Sequence, residues 1–352
     1  MSTSVLYEAC RTGDIQTVEQ LLSELSVHEV NRVQFNGSTC LHIASSCNHP
    51  EIVKLLLDHG AMRSTLDKDG HTAVDVAASE EITQLFPRAS ANTQARLQEN
   101  IPPEQTFEWI SAENGQYGWW YKSRIANDDV SLAVIRIMED ARFSDATNKV
   151  TMEYFLNRAR KTQDPKWLIQ AYTAETGLYQ IINKAFAQTV SNREHFDVKN
   201  DFRAFAGVLA RHGALKPYRY VGKCYRGVKL SIEDFKTNYK VDRKLLVKPF
   251  MSTSKSRAIA EHFATFTHDN MRPLPVLFIY TVPKYTLQFD DNVALDVSPM
   301  SEYPHEEEVL ILPYTSLVIT AINHLPSGLI EVEFDWYSFR RRFERRKKTD
   351  NV

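Results

Sequence analysis

Residues 305–312 read His-Glu-Glu-Glu-Val-Leu-Ile-Leu: three consecutive acids, Glu306, Glu307 and Glu308, run straight into the apolar segment Val309 to Leu312. Side chains alternate across an extended segment, so Glu306 and Glu308 are expected on one face, about 7 Å apart, with Glu307 on the other. Two carboxylates on one face divide the labour of displacement chemistry between them. The simpler alternative is a solvated acidic loop that shields a sticky strand from edge pairing. Other segments of the chain decide between the two.

With 352 residues and 43% hydrophobic side chains, the chain has room for two or three domains, each with a core. A formal charge of -2 gives no general field for nucleic acid or an anionic membrane, so neither is an expected partner. Arg340, Arg341, Arg342, Arg345, Arg346, Lys347 and Lys348 make residues 338–352 a basic tail. Its simplest reading is a solvated end; a nuclear import signal or a patch for acidic partners is the alternative. Four cysteines, Cys10, Cys40, Cys47 and Cys224, are too sparse for a disulfide framework. No apolar run approaches the ~18 residues that span a bilayer, and the first residues lack the basic-then-apolar pattern of a signal peptide. The expected setting is intracellular and cytoplasmic, with the nucleus left open by the basic tail.

The chain repeats itself near its start. Asn36-Gly37-Ser38-Thr39-Cys40-Leu41-His42-Ile43-Ala44 returns as Asp69-Gly70-His71-Thr72-Ala73-Val74-Asp75-Val76-Ala77, a period of 33 residues. Further back, Leu6, Ala9, Val18, Leu21 and Leu22 match Leu41, Ala44, Val53, Leu56 and Leu57. Pro50 to Ala61 begins with proline, carries leucines on one face and ends at Gly60. Residues 1–86 thus resemble ankyrin repeats: a capping unit, one full repeat and a third that stops early near Phe86. So short an array is expected to lean on the rest of the chain and to bind a protein partner. Cys40, His42, Cys47 and His49 have the spacing of metal ligands, but the repeat puts His42 on an inner helix, where a histidine satisfies neighbouring backbone groups. No metal is expected.

Residues 87–106 lack periodicity and end in a proline pair, which marks a linker. In residues 107–160, Phe107 to Ile110 and Tyr117 to Tyr121 flank Asn114-Gly115, the pattern of an aromatic hairpin with a faint similarity to WWE modules. Leu132 to Arg142 and Met152 to Arg160 follow as amphipathic helices.

Three later segments make chemical sense together. Lys223-Cys224-Tyr225-Arg226-Gly227-Val228 reads as a strand whose guanidinium, beside a residue without a side chain, suits a phosphate that approaches the backbone. Phe250-Met251-Ser252-Thr253-Ser254 ends a strand before a helix from Lys255 to Phe266, with Ser254 as candidate N-cap and Ala258, Ile259, Phe263 and Phe266 at helical spacing. Capping does not explain Ser252, whose hydroxyl is suited to orienting a carboxylate on a neighbouring strand. The acidic run is the third segment, preceded by Ser301-Glu302-Tyr303-Pro304.

Arginine, then Ser-Thr-Ser, then Glu-x-Glu, in that order, resembles the R-S-E class of mono-ADP-ribosyltransferases, in particular the arginine-directed animal enzymes and the clostridial-type toxins. Ala171 to Glu175 with Tyr179 to Asn183 looks like the helix that opens the same domain. The resemblance implies a catalytic domain over residues 161–337 and, for the chain, an all-α ankyrin array followed by an α+β ADP-ribosyltransferase fold, with two packed mixed or antiparallel sheets around an NAD cleft and flanking helices. It makes NAD a substrate. Arg226 and Gly227 become the NAD anchor, Ser252 positions the catalytic glutamate, Glu308 is that glutamate, and Ser252, Thr253 and Glu308 are also expected to contact NAD. Glu306 and Tyr303 face an arginine of a protein acceptor. Phe263 is a candidate to stack on nicotinamide, or a plain core residue. The histidine and tyrosine of the poly-ADP-ribosyl and diphtheria-like branch are missing from the motifs, and no Gly-x-Gly offers a Rossmann site. Two further readings stand beside arginine transfer: NAD glycohydrolase, with water as acceptor, and an ankyrin adaptor with an inactive transferase domain.

Overall fold

The computed structural model describes residues 2–34, 37–88, 109–111, 128–187, 202–265, 274–284 and 293–336. The N-terminal helices are α1 (Ser2–Thr12), α2 (Ile15–Glu24), α3 (Val27–Val30), α4 (Cys40–Ser46), α5 (Pro50–Asp58) and α6 (Glu80–Thr83). Their starts are chemically marked. Asp14 caps α2, Ser26 and Thr39 form capping boxes on α3 and α4, and Pro50 takes the first position of α5. Leu6, Ala9, Val18 and Leu22 share one core with their repeat partners Leu41, Ala44, Val53 and Leu57. In the third unit Thr72 and Asp75 close a turn, and Ile82 and Phe86 join the same core. His42 is buried, with Nδ1 on the Thr39 hydroxyl at 2.8 Å and Nε2 on the His71 carbonyl at 3.1 Å. A carbonyl only accepts, so Nε2 carries the proton; burial lowers the pKa and keeps the ring neutral.

Of the connector, residues 87–88 and β1 (Trp109–Ser111) are described. The rest of the linker, the aromatic hairpin around Asn114-Gly115, Phe266 and the basic tail lie outside the described residues. A helical layer follows: α7 (Val130–Glu139), α8 (Lys149–Thr162), α9 (Lys166–Thr173), α10 (Leu178–Ala187) and α11 (Arg203–Arg211), packed around Phe155, Leu168, Tyr172, Ile182, Phe186 and Phe205. The expected opening helix is divided between α9 and α10. At the break Gly177 takes φ +85°, and a Cβ there would lie 2.9 Å from the Thr147 amide nitrogen.

The strands are β2 (Gly222–Leu230), β3 (Lys244–Val247), β4 (Met251–Ser254), β5 (Leu274–Val282), β6 (Ala294–Asp296), β7 (Glu308–Ile311), β8 (Thr315–His324) and β9 (Ile330–Trp336). Among the described residues their order is β1-β3-β8-β9-β5-β2-β4-β7-β6, with only β5 and β9 parallel. β2 meets β4 at the single pair Tyr225 and Ser254, so the strands divide there into a larger and a smaller part. Both parts contribute to one core, with Cys224, Phe278 and Phe334 from the first and Met251, Val309 and Ile311 from the second. α12 (Ile232–Asn238) follows β2, and α13 (Arg257–Thr265) lies against it.

Gly227 explains how closely α13 approaches. A Cβ at Gly227 would lie 1.8 Å from the Ala260 carbonyl oxygen and 2.6 Å from the Ala264 amide nitrogen. The space on the Cβ side of this glycine is therefore taken by a helix, while the residue also borders the cleft of the candidate site. The buried stripe of α13 is accordingly Ala260 and Ala264, while Ala258, expected on the apolar face, is exposed. Nor is Ser254 the N-cap. The helix starts at Arg257, the Ser256 hydroxyl accepts from the Ile259 amide at 3.5 Å, and Ser254 donates to the Glu306 carbonyl at 2.8 Å.

The ankyrin array is docked on the second half. Gly60, at φ +81°, lies so near α8 that a Cβ would be 2.4 Å from Thr151 Oγ1, and Met62 joins the core of the helical layer. The Arg63 amide and the Ser64 hydroxyl donate to the Glu302 carboxylate at 2.8 and 2.5 Å.

Candidate active site

Three neighbouring strands build the site. Arg226 lies on β2 at the same parity as the core residues Cys224 and Val228, is 4% exposed, and its Nη1 donates to the Ser252 carbonyl at 3.2 Å. In the β4–β7 register Ser254 opposes Glu308 and Ser252 opposes Leu310, so Ser252 and Glu308 are diagonal neighbours on one face. The Ser252 hydroxyl donates to Glu308 Oε1, and Glu308 is 3% exposed. A hydroxyl fixed on one carboxylate oxygen orients the whole group.

The acidic run is not extended throughout. Pro304–Glu306 forms a 3-10 turn, Glu307 is left-handed at φ 47° and ψ 45°, and the strand begins only at Glu308. Simple alternation therefore fails for Glu306. The turn nevertheless brings it to the same cleft as Glu308, while Glu307 is exposed and its carbonyl accepts from the Lys255 amide at 3.0 Å.

The cleft has about 430 Å³ of empty space, part of it open to solvent. Arg226, Gly227, Ser252, Thr253, Phe263, Glu306 and Glu308 border it, so most of the residues singled out from sequence come together. The Thr253 hydroxyl donates to the Val309 carbonyl at 2.7 Å, which leaves its oxygen as an acceptor at the cleft. Phe263 is half-buried at the cleft wall rather than in the core. Tyr303 is fully buried and does not border the cleft; burial raises its pKa. The guanidiniums of Arg88 and Arg63 lie 3.9 and 4.9 Å from the centre of its ring.

Arg88, read from sequence as part of a linker, is the unexpected member of the site. Its Nε donates to Glu306 Oε1 at 3.1 Å and its Nη2 to the Thr173 carbonyl at 2.8 Å. Burial is the largest single influence and lowers its pKa, but Glu306, Tyr303 and Glu308 together outweigh it and hold the pKa above the usual value. Nothing in the local sequence marks it, because its partner is 218 residues away. Tyr225 and Ala260 also line the cleft unannounced.

The model of the family described as NAD:arginine ADP-ribosyltransferase matches residues 157–333, half of the chain, and that of ankyrin repeats (3 copies) matches residues 6–94. Ankyrin repeat domain-containing protein 40 of Mus musculus is 36% identical over 93 residues, 26% of this chain and 25% of that protein. Its Homo sapiens counterpart is 38% identical over 82 residues, 23% of this chain and 22% of that protein. The chain thus spans about a quarter of the length of these curated relatives. Among solved structures, the Vis toxin of Vibrio splendidus, an ADP-ribosyltransferase, aligns at 19% identity and a TM-score of 0.36 over 54% of this chain and 84% of its own. The ADP-ribosyltransferase HopU1 of Pseudomonas syringae aligns at 16% identity and a TM-score of 0.39 over 60% of this chain and 98% of its own. With arginine, serine and glutamate meeting across β2, β4 and β7 inside the matched region, the chain belongs to the NAD:arginine ADP-ribosyltransferase family and carries ankyrin repeats ahead of that domain.

Proposed function

We propose that the protein is a mono-ADP-ribosyltransferase that uses NAD as substrate, transfers ADP-ribose to an arginine of a protein acceptor and releases nicotinamide. The observation that carries this reading is the Ser252–Glu308 pair beside Arg226, in a cleft that also holds Glu306. Arg226 supplies the cation that a pyrophosphate needs. Glu308, held by Ser252, stabilises the positive charge that builds on the nicotinamide ribose as the glycosidic bond breaks, through an oxocarbenium-like state. Nicotinamide leaves neutral from a cationic ring, so no general acid is required. Glu306 serves the other reactant. A guanidinium is protonated at neutral pH, and a carboxylate aimed at it orients the group and takes its proton as the new bond forms. Glu306 already holds a guanidinium, that of Arg88, which favours an arginine acceptor over water. The ankyrin array supplies a surface for a protein partner.

The test is nicotinamide release from NAD by the full chain, with and without agmatine as a free guanidine acceptor. The expected result is release coupled to ADP-ribosyl-agmatine, lost in Glu308→Gln. Undiminished release in that variant contradicts the assignment of Glu308.

A further inference from the structure

We propose that Arg88 is an acceptor built into the chain, held in the acceptor position of the cleft so that the enzyme ADP-ribosylates itself there in cis. This rests on the reading that Glu306 faces the acceptor.

The side chain of Arg88 is 1% exposed and borders the same cleft as Ser252 and Glu308. Two of its three nitrogens are committed. Nε and Nη2 reach the two oxygens of Glu306 at 3.1 and 3.5 Å, and Nη2 also donates to the Thr173 carbonyl. The Tyr303 ring supports the plane at 3.9 Å. Nη1 is buried and has no hydrogen-bond partner among the described residues. An unmade hydrogen bond on a buried cation is costly, so a plain structural pin is a poor account of this arrangement. A nucleophile clamped by its other two nitrogens, with one nitrogen left for the incoming ribose, is a better one.

The step balances. The Nη1 lone pair forms a bond to C1′ of the nicotinamide ribose, the C1′–nitrogen bond of NAD breaks with its pair going to the nicotinamide ring, and the guanidinium proton passes to Glu306. The chain carries the acceptor to the site, so no encounter between two protein molecules is needed.

The experiment incubates the full chain with NAD, digests it and maps ADP-ribose by mass spectrometry, with agmatine transfer measured in parallel. The expected result is ADP-ribose on Arg88, absent in Glu308→Gln, with a labelled fraction per unit time that is unchanged by about tenfold dilution. Agmatine transfer with Arg88 unmodified, label confined to other arginines, or labelling that falls with dilution overturns the cis acceptor while leaving the transferase reading intact. No transfer to any guanidine overturns both. Arg88→Gln is expected to lose label at this peptide and to transfer to agmatine faster at low agmatine, its internal competitor gone. If that variant fails to fold, mapping of the unaltered chain decides alone.

Discussion

At the scale of single residues, the account separates two carboxylates that sit two positions apart. Glu308 is buried, fixed by Ser252 and assigned to NAD; Glu306 is half-buried, paired with a guanidinium and assigned to the acceptor. Glu306→Gln should therefore lower agmatine transfer by about 10²-fold or more, the usual worth of a positioned base, while NAD hydrolysis falls far less. Parallel kinetics of the two reactions check this, and equal losses would refute the division of roles. That Glu306 and Glu308 meet at one cleft was legible from residue type and order. The geometry of the acidic run was not, because nothing in Glu-Glu-Glu announces that the middle residue turns left-handed. Alternation along a strand applies only once the strand has begun, and here it begins at Glu308.

At the scale of elements, the fit of α13 onto β2 sets the wall of the cleft. Gly227 is the hinge of that fit, since its absent side chain admits the helix backbone at Ala260 and Ala264. Gly227→Ala forces a Cβ against a carbonyl oxygen, a strain that overpacking studies put at about 1–3 kcal/mol or more. The expected outcome is a clear drop in thermal midpoint together with weakened NAD binding, as α13 and Phe263 are pushed outward. Unchanged stability and affinity would show that the helix does not rest on this glycine. A glycine after an arginine signals close approach in either case, and sequence cannot say whether helix or ligand does the approaching. The helix start was similarly ambiguous: four hydroxyls within Ser252 to Ser256 compete for the cap, and tertiary bonds of Ser254 decide in favour of Ser256.

At the scale of the whole molecule, the ankyrin array, the connector and the catalytic half meet around the turn from Ser301 to Glu306. The repeat period and the buried stripes made both halves legible separately. Their docking was not, because it rests on contacts between residues far apart in sequence, such as Ser64 with Glu302 and Arg88 with Glu306. Glu302 is central to that junction. Burial raises its pKa, and the donors from Ser64 and Arg63 offset this only in part. The folded state then holds the Glu302 proton more tightly than the unfolded chain, so its contribution to stability falls as pH rises from the ordinary carboxylate range through the raised value. Glu302→Gln, with no charge to bury, should gain thermal stability relative to the unaltered chain as pH rises from about 4 to 7. A gain that instead grows toward acid pH would reverse the sign and contradict the argument.

The central claim is that this cleft joins ADP-ribose to arginine. The most direct measurement adds labelled NAD and a protein acceptor to the full chain and treats the product with neutral hydroxylamine. The account predicts label on protein that hydroxylamine removes and that never forms with Glu308→Gln. Nicotinamide released with no labelled protein, or label that withstands hydroxylamine, would contradict it.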